Sequence, residues 1–360
     1  MRVMTILGTR PEIIRLSLII PKLDKACEHT LVHTGQNFEQ SLSDVFFQEL
    51  EVRAPDVFMG VRGETFSAQI AQILEGSEQA FRNYRPDRLL VLGDTNSGLS
   101  AIIARRMGIP VYHMEAGNRC YDDRVPEEIN RRVIDHSSNV LLPYTHNSKR
   151  NLLKEGILEE RITVTGNPIN EVIRHYRAKI DASSALKILG VSAQQYFLVT
   201  LHRAENVDLP ERLKSFVNAF VQLHHEYNLP VIVSCHPRTR SKMKEFGVDA
   251  NSDGVRFLEP MGFFDFVHLE LNAFCIMSDS GTVQEEACIY RIPNVTLRDV
   301  TERPETLECG SNILTGADPR DILAAVKLVT GRKPDWTPPK EYLATDVAEA
   351  ILKIMTHPSN

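Results

Sequence analysis

The sequence contains no Cys-x-x-Cys pair. Its six cysteines stand apart at 27, 120, 235, 275, 288 and 309, which excludes a zinc ribbon or a dithiol redox motif. Cys235 and Cys275 lie inside apolar runs, where free cysteine behaves as a small hydrophobe. Reduced thiols and a cytoplasmic location are therefore expected. No apolar run approaches the roughly 20 residues that span a bilayer, and the apolar part of MRVMTILGTRPE is too short for a signal peptide. Basic charge is not in excess: 41 Lys and Arg against 47 Asp and Glu give a net charge of -6. Neither nucleic acid nor membrane insertion is expected. Repeats, low-complexity tracts, a Walker loop and a GxGxxG fingerprint are also missing.

What is present is a regular alternation. VMTIL, TLVHTG, DRLLVLG, PVYHMEAG, NVLLPY and RITVTG read as strands. Each is followed by a polar turn and then by an apolar-periodic helix, the first being IIRLSLIIPKL. After His175 the text turns polar, and a second set begins with YFLVTLH, VIVSCH, VRFLE, AFCIMSD and NVTLR. In DPRDILAAVKLVTG, Asp318 is placed as an N-cap and Pro319 at the first helical position. Continuous apolar strands alternating with helices indicate parallel sheets covered on both faces. At 360 residues, two cores are expected. The predicted fold is α/β, with two Rossmann-like doubly wound domains at residues 1–170 and 171–340. Residues 341–360 are read as a C-terminal helix packing back on the first domain. Ligands in such folds sit beyond the carboxyl ends of strands, so the cleft between the domains is the expected site.

The residues that follow the strands carry the chemistry. They are Gly8-Thr9-Arg10-Pro11-Glu12, Gly93-Asp94-Thr95, Glu115-Ala116-Gly117, His202-Arg203, His236-Pro237-Arg238 and Ser278 to Thr282. Ser280-Gly281-Thr282 exposes the first N–H groups of a helix, which suit a phosphate. The plainer reading is an ordinary N-cap by Ser280 with Gln284 or Glu285 as partner. Glu285 and Glu286 point about 100° apart on a helix. One is expected to face solvent and the other to accept from ribose hydroxyls. Arg10 and Arg303 match phosphate oxygens, or pair with a neighbouring glutamate. Asp94, Glu115 and Glu127 form an acidic cluster, and His202 faces it from the second domain. Such a set suits proton abstraction and return. Read otherwise, Asp94 is an N-cap, Glu127 a first-turn carboxylate and His202 a packed turn residue.

GTRPEIIRLS, HTGQN, GDTNSGL, HMEAGNRC, VPEEINRR, HPRTR, SDSGTVQEEA and DVTERPE together resemble the non-hydrolysing UDP-N-acetylglucosamine 2-epimerases. The resemblance runs in the family's order from residue 8 to about 305. It implies a glycosyltransferase-B-like fold and inversion at C2 of a UDP-2-acetamido sugar. UDP is eliminated to a 2-acetamidoglycal and then added back, with no metal and no other cofactor. It also implies a homodimer. Position by position, Asp94, Glu115 and Glu127 match the acidic catalytic residues, and His202 matches a histidine at the diphosphate. Arg10, Ser280, Gly281, Thr282 and Arg303 match phosphate-binding positions, and Glu286 the ribose-binding glutamate. His236 and Phe266 line the UDP site. Two features depart from the members that interconvert the gluco and manno sugars. Arg15, read as a substrate and UDP contact, stands where they have Lys, and Gly281-Thr282-Val283 where they have Gly-Gly-Ile. These features look more like a capsule and O-antigen branch that converts UDP-2-acetamido-2,6-dideoxy-L-talose to UDP-N-acetyl-L-fucosamine. UDP-GlcNAc is the alternative substrate. A UDP-sugar glycosyltransferase, a hydrolysing epimerase and a non-catalytic UDP-sugar sensor are the competing classes.

Overall fold

The computed structural model describes residues 1–35, 40–249 and 254–357. Gln36 and Asn37 of the HTGQN motif lie outside these residues. The chain divides into two compact units, Met1–Arg174 with Lys340–Asn360, and His175–Pro339. Both are α/β, and each is built on one parallel sheet.

The first sheet contains β1 (Arg2–Leu7), β2 (Glu28–His33), β3 (Val57–Phe58), β4 (Arg88–Leu92), β5 (Val111–Met114) and β6 (Val140–Leu142). Their order is β3-β2-β1-β4-β5-β6, and every pairing is parallel. The second sheet contains β7 (Phe197–Leu201), β8 (Val231–Cys235), β9 (Val255–Leu258), β10 (Cys275–Ser278) and β11 (Asn294–Thr296). Its order is β11-β10-β7-β8-β9, again all parallel. The chain reverses direction across each sheet at its first-formed strand, β1 or β7, the doubly wound pattern.

Alternation along the strands decides which side chain meets which layer. Phe197, Val199, Val231, Val233 and Met277 enter one core cluster with Phe216, Phe220 and Leu223 of the helix Pro210–Tyr227. Leu198, Ile232 and Ile276 enter another, against Val283 and Ala287 of the helix Gly281–Tyr290. Both faces of the sheet are thus dry, so its strands read as unbroken apolar runs. In the first unit Met4, Ile6, Leu89, Val91 and Val111 pack on Phe81, Ala101 and Ile134. Asp318 does cap the helix Pro319–Thr330, its carboxylate accepting from the Arg320 N–H at 2.9 Å.

Two expected elements differ. IIRLSLIIPKL is not one helix but two, Arg10–Leu16 and Ile20–Ala26. Pro21 supplies no N–H and sits in the first turn of the second, where none is needed. RITVTG is not a strand. Ile162 makes an isolated bridge to Leu141, and Thr165 N–H reaches the Pro143 carbonyl at 3.0 Å. Pro143 follows the three-residue β6 and has no N–H to return, so the ladder stops.

The helix Val347–Thr356 belongs to the first unit. Its last carbonyls have no partners of their own within the helix. Arg88 of β4, 6% exposed, supplies them, donating to Met355 O at 2.5 Å and His357 O at 2.6 Å. A cation is also favoured at that end of the helix dipole. Arg88→Met is expected to cost about 2–3 kcal/mol, read as a melting temperature lowered by several degrees. An unchanged melting temperature contradicts this anchoring.

Candidate active site

Because all strands of a sheet run one way, the ends of β1, β4 and β5 lie on one edge of the first sheet. The ends of β7, β8 and β10 lie on one edge of the second. The expected strand-end residues therefore collect at two edges, one in each unit.

At the first edge, Glu115 follows β5 in a left-handed backbone conformation, φ 63°. For a residue with a side chain this costs on the order of 1 kcal/mol, and such strain concentrates at functional sites. Its carboxylate, 7% exposed, is paired with Arg15 Nη1 and accepts from Asn118 Nδ2 at 3.2 Å. Arg15, read from the sequence as a nucleotide contact, is 3% exposed and turned onto Glu115. Its guanidinium also lies 5.7 Å from the Tyr144 ring centre.

Asp94 Oδ2 accepts from Arg131 Nε at 2.8 Å and lies 2.6 Å from Nη2. A Cβ placed on Gly93, the residue before Asp94, would lie 3.8 Å from Glu115 Oε2, so the Glu115 carboxylate lies against the turn that carries Asp94. The two carboxylates do not form a bare acidic cluster, because each has its own arginine. Glu127 is half-buried in the first turn of the helix Pro126–Ser137. Its neighbour Glu128 is fully buried and accepts from the Cys120 and Tyr121 N–H groups and from Arg131. Arg10 lies 5.7 Å from the Phe46 ring centre.

Sequence reasoning passed over Glu12. It is buried and accepts from Gly8 N–H at 3.0 Å, Thr9 Oγ1 at 2.7 Å and Thr95 Oγ1 at 3.2 Å. Burial pushes its carboxyl up to about 7 against these hydrogen bonds. Thr9 and Glu12 have the N-cap and N3 spacing of a capping box, a signal present in TRPE, but the Thr9 hydroxyl donates to the Glu12 carboxylate and caps no N–H.

At the second edge, His202 is held by Asp279. The carboxylate lies 2.9 Å from His202 Nδ1. It also accepts from the backbone N–H of His202 and Arg203 at 3.0 and 2.9 Å, and from Asn206 Nδ2 at 3.2 Å. Burial alone would raise the Asp279 carboxyl, but the His202 charge and hydrogen bond and the backbone N–H groups hold it at about 2. His202 itself is partly open, its side chain 39% exposed. His236 caps the helix Pro237–Glu245, its Nδ1 accepting from Arg238 N–H at 3.2 Å. The ring proton is therefore on Nε2, which makes that nitrogen a donor.

Ser280 is the N-cap of the helix Gly281–Tyr290, but its hydroxyl makes no cap hydrogen bond. The expected cap through that hydroxyl does not form; Gln284 Nε2 donates instead to the Ser280 carbonyl at 3.4 Å. Gly281 is required by its surroundings, since a Cβ there would sit 2.7 Å from Glu302 Oε1 and 3.5 Å from the Arg303 guanidinium. Thr282 follows, half-buried. Arg303 thus lies beside the helix N-terminus, and it pairs with Glu285. Neither glutamate faces solvent as expected: Glu285 is 1% and Glu286 5% exposed. Glu285 is covered by Arg303, and Glu286 lies against buried Glu270. Burial, then the Glu286 charge, raises the Glu270 carboxyl well above its usual range. Phe266, on the helix Phe263–Leu271, packs half-buried against the neighbouring core.

Two edges of acids, arginines and helix N-termini on paired parallel-sheet units define a glycosyltransferase-B-like α/β protein. WaaG, a glycosyltransferase of lipopolysaccharide biosynthesis, shares this fold at 13% identity, covering 99% of this chain and 100% of its own, with a TM-score of 0.59. The family model for UDP-N-acetylglucosamine 2-epimerase matches residues 22–356. The UDP-N-acetylglucosamine 2-epimerase of Methanocaldococcus jannaschii is 39% identical over 365 residues, 99% of each chain. Its crystal structure in complex with UDP-GlcNAc and UDP superposes with a TM-score of 0.94, covering 99% of each chain. The UDP-2,3-diacetamido-2,3-dideoxy-D-glucuronate 2-epimerase of Pseudomonas aeruginosa is 34% identical over 337 residues, 92% of this chain and 93% of its own. The chain belongs to the UDP-N-acetylglucosamine 2-epimerase family and is an isomerase.

Asp279 ties His202 in place, and its depressed pKa fixes the sign of a pH effect. Its contribution to stability, about 2 kcal/mol, is present above the ordinary carboxylate pKa and is lost as pH falls through about 2. The stability gap between the protein and Asp279→Asn is expected to narrow from pH 5 downward. A gap independent of pH contradicts the assignment.

Proposed function

We propose that this protein inverts C2 of a UDP-2-acetamido sugar without net hydrolysis, the acids of the first unit acting on the sugar and the edge of the second binding UDP. The carrying observation is the pair Asp94 and Glu115, two strand-end carboxylates at one sheet edge, each fixed by its own arginine, with Glu115 against the turn that carries Asp94. A C2 proton is a weak acid, so its removal must be coupled to departure of the diphosphate. The C2–H and C1–O bonds break and a C1=C2 bond forms, giving a 2-acetamidoglycal and UDP. Re-addition of UDP with protonation of the other face of C2 completes the inversion. One carboxylate takes the proton and another group returns one. Glu127, in the same edge, is the third acid assigned to this exchange. The roles of base and acid are interchangeable between the two reaction directions.

Departing UDP carries negative charge onto its β-phosphate. The N–H groups at Gly281 and Thr282, the Ser280 hydroxyl and the adjacent Arg303 charge favour that anion. Arg10, His202 and His236 are assigned to the same diphosphate and nucleotide. Glu286, beside the raised Glu270 carboxyl, is assigned to accept from the ribose hydroxyls, and Phe266 to line the uridine side. UDP-GlcNAc, interconverted with UDP-ManNAc, is the substrate best supported by relatives, since the M. jannaschii protein was crystallised with UDP-GlcNAc. The second reading, UDP-2-acetamido-2,6-dideoxy-L-talose, rests on Arg15 and Thr282-Val283. A homodimer is the proposed assembly.

Incubation in D2O with each sugar, followed at C2 by proton NMR, tests both readings. Deuterium at C2 of both epimers, with no net UDP release and no acceptor added, is the expected result. The faster-exchanging sugar is the substrate. Asp94→Asn or Glu115→Gln is expected to lower kcat by roughly 10²–10⁴-fold with UDP affinity within a few-fold. Accumulation of free UDP with product identifies a hydrolysing enzyme. UDP binding without exchange of either sugar overturns the epimerase reading for these substrates.

A further inference from the structure

His113 is the third residue of β5, 1% exposed. Its Nε2 lies 2.8 Å from the carbonyl oxygen of Gly93 and its Nδ1 2.8 Å from Asp135 Oδ1. A carbonyl oxygen only accepts, so Nε2 carries a hydrogen. The other oxygen of Asp135 accepts from the Gly117 N–H at 3.1 Å and lies 2.8 Å from Arg119 Nη2. A carboxylate so placed is ionised and also only accepts, so Nδ1 carries a hydrogen as well. Arg119 goes on to Glu155 at 2.6 Å, and partly exposed His136 lies 3.6 Å from Glu155 at the outer end. Asp135 and Glu155 thus flank His113 and Arg119.

This cluster grips both acid-bearing loops. Gly93, φ 73°, immediately precedes Asp94. Gly117, φ 80°, lies two residues after Glu115, and a Cβ there would fall 2.3 Å from the Ser148 carbonyl. A neutral ring could donate to only one of its two partners and would turn a lone pair on the other. We propose that His113, held as an imidazolium, is a positioning residue that fixes the Gly93 carbonyl and, through Asp135, the Gly117 amide, so that Asp94 and Glu115 keep the spacing proton transfer requires. This rests on Asp94 and Glu115 being the reacting acids.

The test uses full-length protein labelled with ¹⁵N-histidine. At about pH 8, where an ordinary histidine is neutral, one ring is expected with both nitrogens protonated. That signal should vanish in His113→Gln and revert to a neutral ring in Asp135→Asn. His113→Gln keeps one donor and loses the charge. Its kcat is expected to fall about 100-fold while UDP affinity stays within a few-fold. A neutral His113 ring in the unaltered protein overturns the proposal, and that measurement stands even if the variants fail to fold. Unchanged kcat in a folded His113→Gln, or UDP affinity falling in parallel with kcat, also overturns it. If Asp94→Asn and Glu115→Gln retain kcat while the charged ring is present, the functional reading fails instead, and with it the positioning role.

Discussion

A carboxylate removed from water must meet a cation or a set of N–H and O–H donors, or else keep its proton. The strand-end architecture of both units is organised around that requirement. Glu115 is met by Arg15, Asp94 by Arg131, Asp135 by Arg119 and His113, and Glu285 by Arg303. Asp279 is met by backbone N–H groups and by His202. Glu12 and Glu270, given less, are pushed upward by burial, Glu12 to about 7.

The parallel sheet explains why these groups meet at all. Strands that run one way deliver every following residue to one edge, and helices start there with unsatisfied N–H groups. The first unit brings acids and arginines to that edge. The second brings a helix N-terminus backed by Arg303, with His202 and His236 beside it. An elimination that expels a diphosphate needs both sets, proton acceptors for the sugar and positive potential for the leaving group.

Much of this was legible in the residues themselves. Apolar runs located ten of the strands, and their polar followers marked both edges. The Asp318 cap and Pro319 were readable because helix starts use local signals. What was not legible depended on partners distant in sequence. Arg131 lies 37 residues from Asp94 and Arg15 lies 100 from Glu115, so their pairing has no local signature. The rotation of one helix decided that Glu128 rather than Glu127 would be fully buried. The pairing of Arg303 with Glu285, and of Glu270 with Glu286, removed the solvent face expected for one of the adjacent glutamates. His113 alternates with apolar residues in a strand, so it reads as an ordinary core position until its two acceptors are seen. The left-handed backbone of Glu115 carries no signal in HMEAG.

In the proposed reaction UDP leaves the sugar and returns to it. This is tested most directly with substrate carrying ¹⁸O in the bridge between C1 and the β-phosphate. If the bond breaks reversibly, the freed β-phosphate can rotate before re-addition. Recovered substrate is then expected to show ¹⁸O spread into non-bridging positions at a rate that follows deuterium entry at C2, with both processes lost in Glu115→Gln. Deuterium entering C2 while every label remains in the bridge would contradict the account, because inversion would then proceed with the sugar–phosphate bond intact.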